Sequence, residues 1–271
     1  MKTEKLLDIL ELIAPRVLAE SWDNVGLLVG SRLGEVSKIV VCLDVEEYIV
    51  RAAADDGAEV IVSHHPVIFR PISKISMEEQ GGQIIRALLS NNITAVAMHT
   101  NLDAARDGVN DVLASLFNLK NLDVLKISRN PSATENCGPV GLGRVGDLER
   151  PVSIPAFIDS VKTVLGVDKV RVAGPVEGTV YRVAVMGGSG GRTFKLAGSK
   201  GFEVLVTGDV GYHDALEASA DGVTVIDAGH RETERVVLKP LAERIRKLTR
   251  ETGEQIQVEI IYPGNQVFAI R

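Results

Sequence analysis

The chain has 271 residues, 45% of them hydrophobic and 24% charged, with 30 basic against 36 acidic side chains for a formal net charge of −6. This is the composition of an ordinary globular protein, long enough for one large α/β domain or two smaller ones. An acidic balance with no Lys/Arg cluster lacks the footprint of general nucleic-acid binding, 4% aromatic content offers no stacking platform for single strands, and no apolar run reaches the roughly 20 residues of a membrane-spanning helix.

The N-terminal stretch MKTEKLLDILELIAPRVLAE mixes charge with leucine and carries no signal-peptide core, so the expected location is cytoplasmic. Residues 3–18 place Leu, Ile and Val at helical spacing, SWDNVGL (21–27) reads as a turn, and KIVVCLD (38–44) reads as a buried strand. Next come a helix EEYIVRAAADDGAE ended by Gly57, a strand EVIVSHH, a helix GGQIIRALLSNN, a strand ITAVAMHTNLD and a helix GVNDVLASLFNLK that closes a first unit near residue 120. Strand and helix alternation of this kind implies a parallel sheet covered on both faces. The stretch 126–152, rich in Gly, Pro and Asn, reads as a crossing into a second unit. A helix at 153–165, strands around 168–173 and 180–186, a helix from about 191, a strand EVLVTGD, a helix at 211–220 and a strand GVTVID follow. A long helix over about 230–251, which Pro240 is expected to kink or break, precedes a last strand IQVEIIY. The expected fold is α/β, with two lobes of mainly parallel sheet: residues 1–127 with 229–271 in one, 128–228 in the other, and a site at strand carboxyl ends between them. The two cysteines, Cys42 in an apolar run and Cys137 in a loop-like stretch, read as unpaired thiols.

The histidines, at 64, 65, 99, 213 and 230, all stand at or just past a predicted strand end or at a helix start. Parallel α/β sheets deliver such positions from separate segments to a common crevice. His64 and His65 in IVSHHPVIF are successive, so both reach one site only if the chain leaves the strand there, which Pro66 favours. Adjacent imidazoles suit two metal ions about 3.5–4 Å apart, and equally a pair of loop histidines that simply hydrogen-bond. In HTNLD, His99 is a candidate ligand, ligand partner or substrate contact, while Asp103 is either a hard oxygen ligand or the N-cap of the next helix. In GHRETE, His230 and Glu234 are i and i+4 on one helical face. Glu234 has two oxygens with which to bridge two ions, although acidic residues also favour a helix N-terminus without metal. Three such segments, each after an apolar run, together favour a metal site.

Two further segments are candidates for shaping a pocket. Tyr212 and His213 in TGDVGYHD are placed to contact substrate or relay protons, or else open a capped helix with an exposed histidine. GGSGGR (187–192) is either an anion cradle or a place of tight helix–strand packing, and it lacks both the GxGxxG spacing and the Walker lysine and serine. Asp23 and Asn24, beside the single tryptophan Trp22, are placed to reach a pocket, but a turn alone accounts for them.

SWDNVGLLVG, IVSHHPVIF, HTNLDAARDGVND, TGDVGYHDALEA and DAGHRETE, in this order across nearly the whole chain, resemble the dinuclear-metal family labelled GTP cyclohydrolase I type 2 homologues. The length matches a short form without the mid-chain insert of longer relatives. The resemblance implies two α/β lobes in a toroidal homohexamer. It also implies two metal ions per chain on the histidines of HHP, the aspartate of HTNLD and the histidine and glutamate of GHxxxE, a nitrogen and carboxylate donor set that admits divalent zinc, iron, manganese, cobalt or nickel. These ligands fall on His64, His65, Asp103, His230 and Glu234. The expected function is a metal-dependent hydrolase of a small molecule, either opening the purine ring of a nucleotide such as GTP or cleaving a phosphoester, with His99, Tyr212 and His213 as candidates for proton transfer. A non-catalytic metal-binding ring that serves as scaffold or regulator is the alternative.

Overall fold

Leu6, Ile9, Leu10 and Ile13 form one buried stripe on the first helix, α1 (Thr3–Ile13), of the computed structural model, which describes residues 1–128, 140–262 and 264. Ala14, which precedes Pro15, is extended, so the helix expected over 3–18 stops at Ile13 and Arg16–Leu18 forms a separate 3-10 turn. The chain then runs through β1 (Gly26–Val29), β2 (Lys38–Cys42), α2 (Glu47–Asp55), β3 (Val60–Ser63), α3 (Gln80–Ser90), β4 (Thr94–Ala97), α4 (Thr100–Ala104) and α5 (Val109–Leu116). It continues with β5 (Lys120–Ile127), β6 (Gly141–Ser153), α6 (Ile154–Leu165), β7 (Arg171–Ala173), β8 (Thr179–Ser189), a 3-10 segment Gly191–Leu196, α7 (Ala197–Lys200), β9 (Val204–Gly208) and α8 (Tyr212–Ala220). β10 (Thr224–Asp227), α9 (His230–Glu234), a 3-10 turn Arg235–Val237, α10 (Leu238–Glu251) and β11 (Gln257–Ile260) complete the order.

Two units divide these elements: Met1–Ala105 with the described residues from Leu238 onward, and Arg106–Val237. The first holds a five-stranded sheet in the order β1-β4-β3-β2-β11, parallel except for β1, which lies antiparallel on β4 at one edge. Every residue of β2, β3 and β4 is buried, as continuous apolar runs covered on both faces must be. Val40, Ile49, Val50, Ile61, Ile85 and Leu88 make the core between this sheet and α2 and α3. The register sets Cys42 opposite Ser63 and Ser63 opposite Ala97, so the three central strands end level with one another. β1, expected as part of a turn, is short and mostly half-buried, which leaves little hydrophobic pattern to read.

The second unit carries a six-stranded sheet in the order β5-β6-β8-β9-β10-β7. Only β8, β9 and β10 are mutually parallel; β5/β6, β6/β8 and β7/β10 are antiparallel, so the expected mainly parallel second sheet is corrected to a mixed one. The cause lies in β6, whose glycines make its segment resemble a crossing loop. A Cβ at Gly141 would sit 2.1 Å from the Lys126 carbonyl oxygen, and one at Gly146 would sit 2.7 Å from that of Lys120. Glycine is there to let β5 lie close, not to break the strand. Val183, Val185, Val204, Val206 and Ile226 fill the core with Phe117 and Phe157, whose rings are 5.7 Å apart.

Unit boundaries at 105/106 and 237/238 differ from the expected 127 and 229, because α5 packs on β6 and β8, and α9 on β8 and β9. The helix expected over 230–251 is broken at Arg235–Val237, and Pro240 falls in the first turn of α10, where no intrahelical bond is lost. Cys42 is a free, buried thiol whose pKa burial pushes up, while Cys137 lies outside the described residues. Among the described residues no helix is long and apolar enough to cross a membrane.

Candidate metal centre

Where β3 and β4 end, the first unit gathers three imidazoles. His64, fully buried, donates from Nδ1 to the Met98 carbonyl at 2.9 Å. A carbonyl only accepts, so this bond fixes the Nδ1–H tautomer and presents Nε2 as the lone-pair atom. His65 Nδ1 lies 2.7 Å from Asp44 Oδ1, and His99 Nδ1 lies 2.8 Å from Asp23 Oδ1. Candidate ligand atoms of His64, His65 and His99 all lie within 4.8 Å of one another, with ring centroids 5.0 to 5.6 Å apart. Asp103 Oδ1 stands 3.7 Å from His64 Nε2. Asp103 is buried inside α4, whose N-cap position is His99, and α5 begins after Gly108, so the capping role considered for Asp103 does not hold.

Beneath His99 the Asp23 carboxylate accepts from the Thr100 backbone N–H at 3.0 Å and from the Thr100 hydroxyl as well as from the imidazole. Burial pushes the Asp23 pKa up, but these hydrogen bonds outweigh it and hold the group at about 2. An ionised Asp23 keeps the hydrogen of His99 on Nδ1.

In the second unit, His230 and Glu234 share the single turn of α9. His230 Nε2 is 3.1 Å from the buried Glu234 Oε2, and its Nδ1 is 2.7 Å from Asp209 Oδ2. The sequence GGSGGR backs this pair. Gly188 has φ +66°, and a Cβ there would lie 2.2 Å from Glu234 Oε1; a Cβ at Gly208 on the neighbouring strand would lie 2.5 Å from the His230 backbone N. Backbone amides of the motif are taken up within the unit: Gly187 donates to Asn110 Oδ1 at 3.0 Å, Gly188 to Thr233 Oγ1 at 3.0 Å, and Gly190 to Thr207 Oγ1 at 2.9 Å. Tight packing, not an anion cradle, is therefore what Gly187, Gly188 and Gly190 provide. Tyr212 and His213 open α8 with their side chains exposed and their rings 5.3 Å apart; within that β9–α8 turn it is Asp209 that bonds His230.

Asp44 and Asp209 were not singled out by sequence reasoning. Each stands just past the carboxyl end of the strand next to the one carrying its histidine, β2 beside β3 and β9 beside β10. All four histidines at these two places thus have Nδ1 engaged by an oxygen. Together with Asp103 and Glu234 they form histidine and carboxylate clusters with the chemistry to hold divalent metal ions.

Fold and clusters together define an α/β protein with metal-binding chemistry at strand carboxyl ends. The chain belongs to the Duf34/NIF3 (NGG1p interacting factor 3) family, whose model matches residues 1–264. It is 33% identical over 247 residues to a "GTP cyclohydrolase 1 type 2 homolog" of Clostridium perfringens, covering 91% of this chain and 92% of that one. A crystal structure of a Staphylococcus aureus hypothetical protein aligns with a TM-score of 0.90 at 30% identity, covering 100% of this chain and 99% of its own. A Bacillus cereus protein related to NIF3 aligns with a TM-score of 0.94 at 24% identity over the same shares of each chain, a likeness of fold.

Proposed function

We propose that the protein is a metal-dependent hydrolase of a small molecule, in which His64, His65, Asp103, His230 and Glu234 hold two divalent metal ions. The observation that carries this reading is the shared orientation of the ligand histidines, each with Nδ1 hydrogen-bonded to a carbonyl or carboxylate oxygen, the arrangement typical of metal-ligating imidazoles. Nitrogen and carboxylate donors suit zinc, iron, manganese, cobalt or nickel. Bound there, the ions would lower the pKa of water and polarise the bond under attack. The remaining tasks fall to side chains of this protein. His99, anchored by Asp23 at Nδ1, has Nε2 with which to take up or give a proton. Tyr212 and His213, exposed at the start of α8, are assigned to substrate contact or proton transfer.

The name of the Clostridium relative, a GTP cyclohydrolase 1 type 2 homolog, points to a purine nucleotide as substrate; hydrolytic opening of its imidazole ring would release formate. A phosphoester is the other class, since two-metal centres also suit displacement at phosphorus. A homohexamer, on the strength of the family resemblance, and a location in the cytoplasm belong to the same proposal.

Elemental analysis of protein purified without added metal, with its oligomer mass taken on the same sample, tests the centre. About two transition-metal ions per chain are expected. His65→Ala and Glu234→Ala should each lower that content without unfolding the chain. Protein that takes up no ion after stripping and reconstitution would overturn the proposal. Formate on incubation with GTP would establish ring opening, and inorganic phosphate would establish phosphoester cleavage.

A further inference from the structure

Two large apolar rings are held open to solvent beside the histidine cluster of the first unit. Trp22, the only tryptophan of the chain, is 57% exposed, and Phe69, on the segment that follows the His-His-Pro motif, is 43% exposed. Rings of this size are ordinarily covered, and an exposed pair is informative where it adjoins a polar site. Neither ring sits on slack backbone. Asp23, the next residue after Trp22, is bound to His99 and Thr100, and Asn24 Nδ2 donates to the Ile68 carbonyl at 2.6 Å, tying the two segments together.

The rings form one cluster with His99. Trp22 and Phe69 meet at 5.9 Å with planes inclined by 71°, and each meets the His99 ring edge to face, at 6.2 Å and 76° and at 6.1 Å and 80°. His99 in turn contacts His64 and His65 at 5.3 and 5.6 Å. A pre-ordered aromatic wall is therefore continuous with the candidate ligands. Such a wall suits a flat π-system, which stacks on or abuts aromatic faces at little entropic cost. His99 adds a polar requirement, because Nδ1 is taken by Asp23 and Nε2 is the ring atom left for a partner.

We propose that Trp22 and Phe69 form the binding wall for a planar heteroaromatic ring of the nucleobase class, whose polar edge hydrogen-bonds His99 Nε2. This deepens the hydrolase reading and rests on it for the reaction, but the wall binds the ring whether or not metal is present. Two rings are too few to track a nucleic-acid strand and enough for one base.

Because Trp22 is the sole tryptophan, its fluorescence reports on the wall alone. Guanosine is titrated into metal-loaded and metal-stripped full-length protein, with ribose 5-phosphate as the non-aromatic control. Saturable quenching by guanosine in both forms, and none by the sugar phosphate, is expected. Calorimetric binding of guanosine to Trp22→Leu should be weaker by about tenfold or more, the loss that removal of one stacking partner brings, while Trp22→Phe retains most of the affinity and both variants keep the metal content of the parent. Absence of quenching, unchanged affinity in Trp22→Leu, or quenching that follows protein concentration alone, as burial of the wall against a second copy would give, overturns the proposal. Guanosine binding without turnover of any nucleotide would uphold the wall and sink the hydrolase. Turnover of a purine nucleotide by Trp22→Leu with parental kcat and KM would do the reverse.

Discussion

Asp209 allows the orientation of His230 to be separated from the stability of the fold. Its φ of +52° places a non-glycine residue in the left-handed region, a cost of roughly 1 kcal/mol that Asp bears better than most residues. Its Oδ2 accepts from His230 Nδ1 at 2.7 Å, and because the side chain is 52% exposed this bond contributes only about 1 kcal/mol to folding. Asp209→Gly removes both terms at once, so relief of backbone strain offsets the lost bond and unfolding free energy should change by less than about 1 kcal/mol. Metal affinity responds differently. With nothing to hold the Nδ1–H tautomer and the ring plane, it should fall about tenfold, the low end for loss of a ligand-orienting partner and equivalent to about 1.4 kcal/mol. Asp209→Asn keeps a carbonyl acceptor and tolerates the same backbone conformation, so it should lose less than Asp209→Gly. Competition against a chromophoric chelator gives the affinity, and urea unfolding of the same preparations gives the stability. Parental affinity in Asp209→Gly would refute the orienting role, and an affinity loss matched by an equal loss of stability would reduce it to a folding effect.

Gly188→Ala puts a methyl group 2.2 Å from Glu234 Oε1 at a residue with φ +66°. Stability should fall by about 1–3 kcal/mol in urea unfolding, with a parallel loss of bound metal in elemental analysis. Asp23 has a folded-state pKa of about 2 against an ordinary 3.8, so the stability it contributes is present above about pH 4 and is lost as the pH falls towards 2. Denaturant midpoints of the parent and Asp23→Asn should therefore converge as the pH falls from about 4 towards 2; a difference that does not narrow in acid would contradict the assignment. Arg144, buried, donates to the carboxylate of Asp111 and to the carbonyls of Gly141 and Gly143 at 2.9 and 2.8 Å. Arg144→Met should cost about 3 kcal/mol, the lower end for breaking a buried pair, because Asp111 is 21% exposed and can turn to water. A urea midpoint like that of the parent would show that the pair does not hold β6 against α5.

Parts of the site that were legible and parts that were not differ in what a strand's neighbour contributes. β2, β3, β4, β9 and β10 could be read because fully buried strands leave continuous apolar runs, and looking just past β3, β4 and β10 finds His64, His65, His99 and His230. β6 escaped because close approach to β5 demands glycine, which in one dimension reads as a loop. Exposure of Trp22 could not be read either, since one tryptophan in a turn looks the same whether it closes a core or lines a site. The orienting carboxylates are the instructive case. Asp44 and Asp209 sit at turn positions where Asp is common for local reasons, so their presence there carries no signal by itself. Their meaning comes from register. With Cys42 opposite Ser63 and Ser63 opposite Ala97, moving two residues further along each strand sets Asp44, His65 and His99 in a row across three strand ends. With Thr207 opposite Asp227, the same step brings Asp209 level with Gly229, next to His230. Which aspartate meets which histidine is thus decided by which strand lies beside its own, a property of the assembled sheet that no window of sequence contains.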